Sequence, residues 1–129
     1  MQVTENNLDI DRLLTMVSQQ RAHESISRSL SGDVQQARDD KRRAETQLRV
    51  AKENAHYFQS REREEPAEVQ KALATAVRQV ELASRSMDDL IAKRQRASEA
   101  SAVGRTLLTN MNTQLVKHGV RLDILGDFA

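Results

Sequence analysis

Three histidines, His23, His56 and His118, are where metal chemistry would begin, because a neutral imidazole is the commonest metal ligand. Their spacing argues against a site. None has a second histidine four residues away, no HExxH stretch occurs, and there is no cysteine to complete a zinc set. No metal and no cofactor is expected. Covalent catalysis would fall to hydroxyls such as Ser25, Ser27, Ser29, Ser98 and Ser101, which the surrounding pattern puts on helix faces rather than in a water-excluding pocket. A non-enzymatic protein is the expectation.

A second constellation is cationic. Arg38, Lys41, Arg42 and Arg43 lie in one stretch, and Lys93, Arg94 and Arg96 in another. Brought to one level, they would form a basic belt able to grip a phosphate backbone. Asp39, Asp40, Asp88 and Asp89 interleave with them, so cross-helix ion pairing is the simpler expectation, with the stems of Lys41 and Arg94 snorkelling out of an apolar seam. No aromatic residue stands among these cations to stack on a base. Nucleic acid ranks behind protein as a partner. Tyr57 is a possible contact residue, but a helical tyrosine more commonly lies on its neighbours.

The third constellation is apolar and points to protein partners. Leu8, Ile10, Leu14, Val17 and Ile26 near the N-terminus, and Val103, Leu107 and Val116 near the C-terminus, lie outside any two-helix seam. A stripe that wide calls for a third packing partner. After Gly119 come Val120, Leu122, Ile124, Leu125 and Phe128, a tail too apolar to be left in water. The alternation through Val120, Leu122 and Ile124 reads as an extended segment. Leu14, Val17, Ile26, Leu107, Val116 and these five tail residues are the candidate partner-binding set. The tail is expected to meet another copy or another protein, with an intramolecular cap as the alternative.

Positioning these residues requires long helices. With only 4 Gly, 1 Pro and three aromatics in 129 residues, a multi-stranded sheet is close to excluded, while Ala, Arg, Gln, Glu and Leu favour helix. Val34, Ala37, Lys41, Ala44, Leu48, Ala51, Ala55 and Phe58 recur at steps of three and four, a heptad pattern that extends back through Leu30, Ser27, His23, Gln20 and Met16 to Leu13. Past Pro66 it resumes with Val69, Leu73, Ala76, Val80, Ala83, Met87 and Leu90, and continues to Gly104, Leu108, Met111, Leu115 and His118. The phase survives Gly32, so one uninterrupted first helix is expected. Pro66, after the polar run Arg61 to Glu65, marks a reversal.

The expected fold is all-α: a long antiparallel helical hairpin, coiled-coil-like with an Ala-rich seam, carrying a short extended C-terminal tail. Residues 1–118 form the hairpin (helix 8–62, turn 63–66, helix 67–118), and 119–129 the tail. Closing the turn around 63 to 68 pairs Ala55 with Ala76, Leu48 with Ala83, Ser27 with Gly104, His23 with Leu108, Gln20 with Met111 and Leu13 with His118. Each helix of about 50 residues would be about 75 Å long.

Twenty Lys and Arg against 19 Asp and Glu give a net charge of +1, which exerts no global pull on nucleic acid or anionic lipid. No run approaches the ~18 apolar residues of a membrane span. The polar start, Met1 to Asp11, differs from a secretory leader, so the cytoplasm is the default location; signal-independent export or incorporation into a virion is compatible with it. The leading functional expectation is a structural or adaptor subunit that assembles with itself or other proteins through helix faces and tail, as in a secretion apparatus, phage particle or chaperone complex. A small helical regulator or inhibitor that fills a partner's groove is the alternative, and a nucleic-acid-binding module using the basic belt ranks third.

Overall fold

The structure, a computed structural model, describes residues 9–129. Two α-helices of 51 residues each, α1 (Ile10–Ser60) and α2 (Ala67–Lys117), pack against each other as a hairpin, and a 3-10 helix (Asp123–Phe128) follows. The expected helical hairpin is what forms. Leu8 lies outside the described residues.

The ends of the helices follow from local chemistry. Asp9 caps α1: its Oδ1 accepts from the Arg12 amide at 3.0 Å and its carbonyl from the Leu13 amide at 3.1 Å. The helix runs unbroken through Gly32, whose missing side chain faces open space. Pro66 stands just ahead of α2, its carbonyl accepting from the Val69 and Gln70 amides.

Both helices end in the same closing motif. At the end of α2 the Val120 amide donates to the Leu115 carbonyl at 2.8 Å and the Gly119 amide to that of Val116 at 3.0 Å, with Gly119 at φ +79°. At the end of α1 the Arg63 amide donates to the Phe58 carbonyl at 3.0 Å and the Glu62 amide to that of Gln59 at 3.2 Å. Here the left-handed residue is Glu62, at φ +51°. The turn thus starts within residues 61–66 rather than at 63, because a glutamate occupies the position where a glycine would have signalled the stop.

By internal packing the chain falls into two units. One, the tip unit, comprises Leu30–Lys93. Its interior is a row of small residues, Ala37, Ala44, Ala51, Ala55 and Ala76, with Val34 fully buried. At the tip the rings of Tyr57 and Phe58 meet edge to face at 5.2 Å, and the Arg61 guanidinium lies 3.9 Å over the Tyr57 ring. Tyr57 therefore lies on its neighbours. The Gln59 amide nitrogen donates to Glu65 at 2.7 Å across the reversal.

The second unit, the open-end unit, gathers the described residues up to Ser29 and those from Arg94 to Ala129. Its core is Val17, Leu108, Leu115, Leu125 and Phe128, with Met16, Met111, Val120, Leu122 and Ile124 packed against it. The tail is extended only as far as Leu122; from Asp123 to Phe128 it is a 3-10 helix, whose three residues per turn set Leu125 and Phe128 on one face. Val120, Leu122 and Ile124 face the cluster in alternation, as their spacing suggested.

The register in this unit also departs from the expected pairing. Gln20 lies against Ser101 and Gly104, one heptad away from Met111. Glu24 meets Arg105 across the helices, and the inward positions run Leu13, Val17, Gln20, Glu24 and Ser27, at steps of four and three where the expected seam stepped three and four. His23 and His118, expected in the seam, are exposed. Val17 is buried and Glu24 half-buried instead, because the docked tail covers that flank and widens the inward stripe.

Candidate functional site

Among the described residues the open-end unit holds the densest set of specific contacts, and Arg105 is its hub. The Nη1 of Arg105 donates to Oε1 of Glu24 at 2.7 Å, tying α2 to α1. Its Nη2 donates to the Asp127 carbonyl at 2.9 Å, and the guanidinium stands 5.1 Å from the centre of the Phe128 ring. One side chain thereby joins α1, α2 and the tail. Arg21 pairs with the Asp127 carboxylate at 3.3 Å, and Asn112 donates to the Phe128 carbonyl at 3.3 Å.

Beneath this polar layer Leu125 and Phe128 keep 0% and 2% of their surface exposed. Removing two such side chains from water stabilises docking by roughly 1.5–3 kcal/mol each. Beside them Gln20, 4% exposed, donates to the Ser101 carbonyl at 2.7 Å and to Glu24 at 3.2 Å. Glu24 thus receives both Gln20 and Arg105. The hydrogen bond from Gln20, then that from Arg105, hold its carboxyl below the ordinary glutamate range, and burial opposes them only in part.

The candidate partner-binding residues divide sharply. Val17, Leu125 and Phe128 are buried inside the chain, and Val120, Leu122 and Ile124 pack on the same cluster. Within the single chain the tail thus caps its own hairpin end, the alternative to contact with another copy or another protein. It does so because the surplus stripe around Val17 and Leu108 gives it an apolar floor. Leu14, Ile26, Leu107 and Val116 remain exposed, as do Ile10 and Val103. Val103 stands two positions from Arg105, more than half a helical turn round, so Val103 and Leu107 occupy the flank of α2 away from the tail.

Within the tip unit, Arg38, Arg42, Arg43 and Lys93 are exposed and Lys41 is half-buried. Lys41 pairs with Glu45 at 3.9 Å and Arg43 with Asp40 at 3.7 Å, both along α1. Among the described residues no ion pair of the belt crosses to the other helix, contrary to the expected cross-helix pairing; the acidic partners one turn away on the same helix are nearer. Arg94 and Arg96 belong to the open-end unit, where Arg94 is half-buried and Arg96 exposed.

Arg105 was not singled out in the sequence. Its only local signal is a cation following Gly104 in a stretch otherwise neutral, and its partners Glu24 and Asp127 are remote in the chain. Among the described residues no helix is long and apolar enough to cross a membrane. Protein-family models, curated proteins and solved structures all yield no match to this chain.

Proposed function

We propose that this protein is a non-enzymatic structural or adaptor subunit that assembles, with itself or with other proteins, through exposed helix faces of its open-end unit. The observation that carries this reading is the flank formed by Val103 and Leu107, which are 71% and 49% exposed while the tail is committed elsewhere. Adjacent apolar side chains left in water along one helix flank are the kind of surface that protein contacts cover. The small-residue interior of the tip unit supports the same reading, since a narrow alanine seam buries little area and gains from further packing.

Light scattering on the whole protein tests it, alongside the double variant Val103→Lys, Leu107→Lys. The reading expects an oligomer at micromolar concentration that the double variant reduces to monomer with its helix content intact. A wild-type monomer up to millimolar concentration would remove self-assembly and leave assembly with other proteins or the regulator that binds a partner's groove.

A further inference from the structure

The tail sits at the open end as a peptide ligand sits in its receptor. It meets the helices through side chains: Leu125 and Phe128 descend to a floor of Val17, Leu108 and Leu115. Its polar features are read one by one, the Asp127 carboxylate by Arg21, the Asp127 carbonyl by Arg105 and the Phe128 carbonyl by Asn112. The last backbone hydrogen bond tying this region to α2 is that of the Val120 amide to the Leu115 carbonyl. Beyond it, among the described residues, no backbone-to-backbone bond joins the tail to either long helix; the Leu125 amide donates within the tail, to the Leu122 carbonyl. A six-residue 3-10 helix has little stability of its own, so a tail lifted from the groove loses its shape and leaves the helices' own hydrogen bonds intact. Alongside it an open cavity of about 640 Å³, bordered by Asn112, Val116, Lys117 and Leu122, leaves space next to the docked segment.

We propose that this groove is an exchangeable peptide site, occupied here by the chain's own C-terminus, which takes from a partner protein a segment of the same chemistry. That segment carries bulky apolar side chains three residues apart with a carboxylate immediately before the last. The apolar pair fills the floor, the carboxylate answers Arg21, and the backbone carbonyl of the same residue accepts from Arg105. The inference is independent of the Val103–Leu107 flank, which lies away from the groove, so either can fail without the other.

The probe is a fluorescent synthetic peptide with the sequence of residues 121–129, titrated against the full-length protein and its full-length Phe128→Ala variant. Saturable binding at least tenfold tighter to Phe128→Ala than to wild type is expected, because the resident tail then competes poorly. Adding Arg105→Ala, or changing the peptide's aspartate before the phenylalanine to asparagine, should weaken binding at least fivefold. Absence of saturable binding to a helical Phe128→Ala protein overturns the proposal, as does binding indifferent to Arg105. If Phe128→Ala does not fold, hydrogen exchange on the unaltered protein decides: excess peptide should speed exchange at Leu125 and Phe128, and unchanged exchange overturns the proposal. A dimer of wild type that disappears in Phe128→Ala would make the occupant a second copy's tail and overturn the partner segment.

Discussion

Gln20 occupies the space that a side chain on Gly104 would need: a Cβ built there would collide with the amide oxygen of Gln20. The buried amide and the glycine are therefore one unit, in which the absent side chain makes room for the hydrogen bond from Gln20 to the Ser101 carbonyl.

Their coupling has a sign that a double-mutant cycle reads. Gly104→Ala alone should destabilise the protein, by about 1 kcal/mol or more, since it displaces a buried, hydrogen-bonded side chain. In a Gln20→Ala background the same change should stabilise it by about 1 kcal/mol, the ordinary helix preference of alanine over glycine. Urea denaturation of the four proteins measures both. Gly104→Ala stabilising in both backgrounds would separate the two residues.

Glu24 gives the open end a pH dependence. Its folded carboxyl titrates below its ordinary value of 4.5, so it contributes stability that is fully present above that value. That stability is lost as pH falls through the lower, folded value. Denaturation midpoints should drop on acidification across this range, and Glu24→Gln should flatten that part of the profile. Arg105→Ala should flatten it too, and at neutral pH should cost about 1 kcal/mol, because the guanidinium is half exposed and its pairing is screened.

Glu62 holds a left-handed backbone at φ +51° without being glycine. Glu62→Gly should therefore stabilise the hairpin by about 0.5–1 kcal/mol, relief of backbone strain outweighing the looser unfolded chain. A thermal midpoint raised by a few degrees is the expected reading. At Gly119, φ +79°, the converse change Gly119→Ala should lower it.

Phe128→Ala should free the tail without melting the helices. Truncating a buried phenylalanine costs about 3 kcal/mol or more, which is comparable with the whole docking free energy of so short a segment. Amide exchange at Leu125 and Phe128 should accelerate by at least tenfold while exchange in the middle of α1 and α2 stays slow.

The helices, their boundaries to within two residues and the reversal at Pro66 were legible in the sequence, because heptad phase, an isolated proline and a lone glycine stop are local signals. The register was not. The contacts that set it, Gln20 with Ser101 and Glu24 with Arg105, join residues 81 positions apart, which no heptad count reads. The tail's destination was half legible: its apolar character required cover, yet Val120, Leu122 and Ile124 announced one period and Leu122, Leu125 and Phe128 another. Arg105 was illegible for a simpler reason. Its partners Glu24 and Asp127 come from opposite ends of the chain, and no short window contains them.

The tail's anchors also impose a reading frame on its length. In a 3-10 helix one added residue after Gly126 would swing Phe128 about a third of a turn away from Leu108 and point it at water. Two would overshoot by as much again, whereas a triplet would bring the ring back over the helices one step further along. Insertions and deletions in this segment are therefore tolerated only in steps of three residues, which holds its length more tightly than that of an ordinary surface segment.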